Sequence, residues 1–197
     1  IPKISFQKVI KNQVNQRVQV PRIDGTKNKL FSFDWQFFDK EAGLYGLIDA
    51  DEKVFAEVKE LFKLLGETGI GTDKNVGGGK FVPECGAIQI PEIPDANATL
   101  LLSLFLPEEA ELSQLKLEDA VFELILRGGF LAGSTEEKFR HLRKKSVYMF
   151  NAGSLFPTVQ EIKGKIVDLS PAWNDEKMHP AYRSGKPFCI NIKVPSL

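Results

Sequence analysis

The sequence predicts an α+β fold in two units, residues 1–95 and 96–197, each an antiparallel sheet with helices on one face. Three observations carry that expectation. Over residues 29–38, Leu30, Phe31, Phe33, Trp35 and Phe37 are interleaved with Ser32, Asp34 and Gln36, the period of two of a strand with one face on a core. Residues 52–65 instead place Val54, Phe55, Val58, Leu61, Phe62 and Leu65 at three- and four-residue spacing, the stripe of an amphipathic helix. The second half holds short apolar runs separated by Gly, Pro, Asn and Asp, and none is long enough to cross a bilayer.

Taken in order, residues 4–22 are basic and amide-rich, through Lys11, Asn12, Gln13, Asn15, Gln16 and Arg17, and read as an exposed arm or extended loop. Residues 29–38 form the first strand and residues 43–50 a second, joined as a hairpin through Lys40, Glu41, Ala42 and Gly43. The helix over 52–65 has Asp51 as its N-cap and Gly66 as its stop. A glycine-rich loop, Gly69 to Lys80, then leads into a strand over 81–90. Strand, strand, helix, loop, strand is the later part of a ferredoxin-like βαββαβ unit. Its opening strand and helix read as missing or irregular, since the chain begins at Ile1 within what already looks like a working segment.

Pro91, Pro94 and Asp95 mark a linker. Beyond it, strands are expected at 99–106, 120–131, 145–150, 163–169 and 187–194, with a short acidic helix at 107–117.

A hydrophobic fraction of 43% suffices for a core without metal or disulfide. The two cysteines, Cys85 and Cys189, each stand alone in an apolar segment and read as buried thiols of a reducing cytoplasm. Basic and acidic residues balance at 26 each, but they are segregated. Residues 1–30 hold seven Lys and Arg against Asp24 alone. Residues 84–123 hold nine Asp and Glu, Glu108, Glu109 and Glu111 among them, against Lys116 alone. Such segregation lets one face meet phosphates while another, the acidic stretch here, meets a protein partner.

The glycine-rich loop is the sharpest chemical feature. Glycine permits positive φ and lets backbone N–H groups approach a phosphate, while Lys74 and Lys80 supply charge. No Gly-Lys-Ser/Thr closes it, and it enters a strand rather than a helix, so it is neither a Walker loop nor a dinucleotide fingerprint. A plain helix-to-strand connection is the other reading. Because the loop reads as exposed, Gly79→Asp is expected to weaken RNA binding with little loss of fold. Phe31, Phe33, Trp35 and Phe81 could offer stacking platforms, although aromatics on strands more often serve a core. His141 lies in a basic run, and His179 with Tyr182 is the one acid–base pairing on offer, so no catalytic constellation emerges.

Residues 67–81 resemble the glycine-rich loop of RAMP proteins, in particular that of the fourth subunit of type III-A CRISPR (Csm) effectors. Gly164 to Leu169, followed by His179-Pro180-Ala181-Tyr182-Arg183-Ser184-Gly185-Lys186-Pro187-Phe188, is similar to that family's closing segment, and residues 15–30 to its basic region. Within the loop, Lys74-Asn75 replaces the family's usual Arg-Ser, Asp73 adds a negative charge, and Gly78 stands where an aromatic is common.

The resemblance implies two ferredoxin-like (RRM/RAMP-type) domains and a cytoplasmic, non-catalytic subunit for antiviral defence, without cofactor, metal or membrane. It implies binding of the 5′ repeat-derived handle of crRNA through Arg22, Gly69, Gly71, Lys74, Gly77, Gly78, Gly79 and Lys80. It also implies docking to the large polymerase-like subunit and to a backbone RAMP subunit. A RAMP endoribonuclease processing precursor RNA and a protein-interaction domain without RNA binding remain the alternatives.

Overall fold

The computed structural model describes residues 9–20, 28–131, 142–158, 162–171 and 179–195. It is a mixed fold of antiparallel sheets with few helices, and it divides into two compact units, Ile1–Phe81 and Val82–Leu197.

In the first unit, β1 (Ile10–Gln19) pairs antiparallel with β2 (Lys29–Phe38) along their whole length, from Ile10 opposite Phe38 to Gln19 opposite Lys29. The expected arm is therefore largely a strand. Its alternation runs Ile10, Asn12, Val14, Gln16, Val18, with amides in place of apolar residues at every other site, so no apolar face announced it. Residues 43–50, expected as a strand, have none. After Phe38 the chain turns, with Ala42 N–H donating to Asp39 O at 3.0 Å, and β2 finds its partner upstream instead.

Helix α1 (Glu52–Thr68) starts where Asp51 places it, the Asp51 carboxylate accepting from Val54 N–H at 2.8 Å. Gly66 does not stop it. The helix runs on to Gly69, whose φ of 86° only glycine adopts freely and whose N–H donates to Leu65 O at 2.7 Å. Loss of that N-cap carboxylate in Asp51→Ala should cost about 1 kcal/mol. Amide exchange in the first turn of α1 should then accelerate about fivefold, and unchanged exchange would mean that the cap carries no weight.

Residues 81–90, also expected as a strand, run without ladder pairing, which leaves Cys85 exposed rather than buried. Cys189 is half-buried, and burial raises its thiol pKa.

The second unit is built on β3 (Ala98–Leu101), flanked antiparallel by β6 (Leu155–Pro157) and β9 (Cys189–Ile192). Two further pairs are β4 (Leu124–Arg127) with β5 (Val147–Phe150), and β7 (Ile166–Asp168) with β8 (Tyr182–Ser184). The acidic helix is shorter than expected: α2 (Glu109–Leu112) gives way to single 3-10 turns at Ser113–Leu115 and Leu117–Asp119.

Bridges from Phe105 to Phe150 and from Val121 to Leu155 tie the sheets together around Leu101, Phe105, Leu115, Phe150 and Phe156. The Phe150 and Phe156 rings meet edge to face at 5.1 Å. Phenylalanine thus supplies three of these five core residues. Gly185, in the closing segment, has structural work: a Cβ there would lie 2.3 Å from Leu106 Cβ. No helix among the described residues is long and apolar enough to cross a membrane.

Candidate nucleic-acid interface

The glycine-rich loop of the first unit folds back on itself. Ile70 N–H donates to Gly79 O at 3.0 Å, Gly78 N–H to Asp73 O at 3.0 Å, and Phe81 N–H to Gly66 O at 3.2 Å, so the loop closes at the end of α1. Between these ties Lys74–Val76 makes one 3-10 turn, entered from Asp73 at φ 56° and left through Gly77 at φ 89°.

The loop's glycines do two different jobs. Gly71 and Gly77 have open space around them and supply positive φ, whereas Gly69, Gly78 and Gly79 admit close backbone crossing. A Cβ on Gly69 would lie 2.4 Å from Gly78 O, and one on Gly79 would lie 1.8 Å from Ile70 O. Gly79→Asp would therefore break the loop itself, and the expectation of little loss of fold is corrected on that ground. The amides of Gly69, Gly77 and Gly78 are already spent on carbonyls within the chain. Those of Gly71, Gly79 and Lys80 donate to no acceptor among the described residues, and the Lys74 and Lys80 side chains are exposed.

Strand β1 reaches this loop through Arg17, a residue that sequence reasoning did not single out as a site. Its guanidinium donates to the Asp73 carboxylate and lies over the rings of Phe33 and Trp35, 5.1 and 5.5 Å from their centroids. The extra negative charge of Asp73 is thus neutralised by a cation held on aromatic faces. The register places Lys11, Gln13, Asn15 and Arg17 on one face of the hairpin, opposite Phe37, Trp35, Phe33 and Phe31. Phe31 and Phe37 remain 44% and 46% exposed, so this aromatic row does not close into a core within its unit.

Arg22 and His141 lie outside the described residues. Among the described residues no group of three or more His, Cys, Asp or Glu is placed to hold a metal ion. In the acidic stretch of the second unit, Glu111 proves not to be surface charge. It is buried, accepting from the backbone N–H groups of Glu108 at 2.7 Å, of Lys163 at 2.5 Å and of Gly164 at 3.2 Å.

Residues 94–192 match the family described as the CRISPR Csm4 C-terminal domain. The proteins named "CRISPR system Cms protein Csm4" from two Mycobacterium tuberculosis strains, CDC 1551 / Oshkosh and ATCC 25618 / H37Rv, are each 33% identical to this chain over 158 residues. Those residues make up 79% of this chain and 49% of each relative, so the chain spans about half the length of the curated relatives it matches. The family match covers the strands of the second unit from β3 to β9, and the relatives extend the likeness beyond it: the chain belongs to the CRISPR Csm4 family.

Proposed function

We propose that this chain is a non-catalytic RNA-binding part of a type III-A CRISPR Csm effector complex in antiviral defence, holding the 5′ repeat-derived handle of crRNA. One observation carries the reading: a self-closed glycine loop with exposed Lys74 and Lys80 is tied by Arg17 to a hairpin face of aromatics and amides. Amides and lysines neutralise phosphates without reading sequence. Aromatics beside arginine stack bases of a single strand. Support for the finer RAMP-type, ferredoxin-like architecture comes from the second unit. There the first strand, β3, sits between the last strand, β9, and a mid-chain strand, β6, as the first strand of a βαββαβ sheet does. Docking to the large polymerase-like subunit and to a backbone RAMP subunit is assigned to the exposed acids, Glu84, Glu92, Glu109 and Glu118, with Glu111 withdrawn from that set.

The test is affinity for a synthetic guide RNA with and without its handle, at 50 and 200 mM salt, with the RNA run on a gel afterwards. Binding should require the handle and weaken roughly twentyfold between the two salts, as about three neutralised phosphates on a single strand would give. Absence of RNA binding at both salts would favour the protein-interaction reading, and metal-free cutting of the repeat would replace the proposal with the endoribonuclease.

A further inference from the structure

A second cationic feature lies in the second unit and owes nothing to the glycine loop. A cleft of about 370 Å³ is lined chiefly by Arg127, Gly128, Gly129, Arg143, Ser146 and Arg183. Sixteen residues separate the first two arginines and forty the last two, and strand pairing brings them together. Arg127 ends β4, paired with Val147 of β5; Arg143 bridges to Phe130; Arg183 sits in β8 opposite Val167.

The two glycines shape the wall. A Cβ on Gly128 would lie 2.4 Å from Ser146 Oγ, so only glycine lets that hydroxyl lie against the backbone here. Gly129, at φ 113°, turns the chain, and its carbonyl accepts from Lys144 N–H at 2.8 Å, which anchors the segment carrying Arg143.

Three arginines thus line one cleft with no carboxylate among the lining residues. No ion pair joins any of them to an acid among the described residues. Arg143 lies over the Phe130 ring, 5.6 Å from its centroid. Most telling is Arg127: its Nε is buried and finds no acceptor among the described residues. A buried, unpaired donor on a permanent cation is unfavourable unless something else completes it. Like charges gathered in one cleft add to that cost. An anion in the cleft offsets the gathered positive charge, and one that reaches Arg127 Nε would also supply its missing acceptor. Guanidinium forks carried by two strands and one bridged segment, together with one hydroxyl donor, suit a tetrahedral oxyanion better than a planar carboxylate.

We propose that this cleft binds a phosphate group of an RNA strand, giving the chain a phosphate anchor on its second unit in addition to the glycine loop on its first. The phosphate chemistry stands on the cleft alone; that RNA carries the phosphate rests on the function proposed above.

Both parts can be tested on the full chain. Titration with inorganic phosphate at constant ionic strength, followed by the arginine Nε–H resonances, should move the Arg127 signal saturably, while matched chloride leaves it in place. Arg183→Gln should weaken that phosphate binding about tenfold, and Arg183→Lys, which keeps the charge but loses the fork, should weaken it less. In parallel, Arg183→Gln should lower affinity for handle RNA about tenfold and reduce its salt slope by about one phosphate's worth. Lys74→Glu should weaken RNA binding yet leave the phosphate response of Arg127 intact, so failure of the loop reading and failure of this one are told apart. An Arg127 signal that ignores phosphate, or answers chloride equally, would overturn the site. Phosphate binding with unchanged RNA affinity in both Arg183 variants would overturn its assignment to RNA.

Discussion

A chain carrying Lys74→Glu and Lys80→Glu together is expected to bind handle-bearing guide RNA about a hundredfold more weakly than the native chain, with the same melting temperature. The size follows from two charge-assisted phosphate contacts, each worth at least about 1.4 kcal/mol, or tenfold. The unchanged stability follows from placement. Both side chains are exposed, and the loop's closure rests on backbone bonds between Ile70 and Gly79, Gly78 and Asp73, and Phe81 and Gly66, none of which uses a lysine side chain. Lys193→Glu in the second unit, beside Asp95, makes the same change in charge as either loop substitution alone and serves as the control for each single variant. Equal weakening by Lys193→Glu would reduce the loop to a contributor of net charge and sink its role as a site.

Glu111→Ala is expected to lower the unfolding free energy by on the order of 3 kcal/mol, because three backbone N–H groups, that of Gly164 buried and those of Glu108 and Lys163 part-buried, lose this acceptor together. Glu111→Gln keeps one acceptor oxygen and should lose less. The effect depends on pH. Burial pushes the Glu111 carboxyl up, but the amides of Lys163, Glu108 and Gly164 outweigh it and hold the pKa below the ordinary glutamate value. A group whose pKa is lowered by folding contributes stability above its unfolded value and loses it as pH falls through the folded one. Native and Glu111→Ala chains should therefore differ most in denaturant midpoint near neutral pH and converge as pH drops below about 4.3. Parallel midpoints at pH 7 and at pH 3.5 would show that the carboxylate's charge plays no part.

Both results turn on residues that look alike in the sequence and differ in the fold. Glu108, Glu109 and Glu111 read as one patch of surface charge. One turn of α2 directs Glu111 inward to the amides of Lys163 and Gly164, more than fifty residues away, and leaves Glu109 outside. Lys74 and Asp73 read as neighbours of opposite effect on an RNA. The fold removes the Asp73 charge by bringing Arg17 to it across 56 residues.

What was legible in advance was local. The stripe of α1 and its Asp51 cap lie within a few residues of one another, and so do the alternation of β2 and the density of glycines between Gly69 and Lys80. Each depends on contacts within one or two turns, where backbone sterics and side-chain spacing suffice. Residues 43–50 and 81–90 show the limit of that reasoning. Their apolar residues suit a strand, but a strand exists only as a ladder, and no partner pairs with them among the described residues. The same rule made β1 a strand despite its amides, because β2 lay within reach to pair with it.

By itself, then, the sequence determined the α+β composition, the helix with its cap, the glycine loop and the family whose closing segment it carries. Only the tertiary structure decided which loop glycines are packing necessities, that Glu111 is an internal ligand for amides, and that Arg127, Arg143 and Arg183 share a cleft. Those outcomes depend on which strands pair. Pairing is selected by burial and hydrogen-bond satisfaction summed over the whole unit, quantities that no window of neighbouring residues contains.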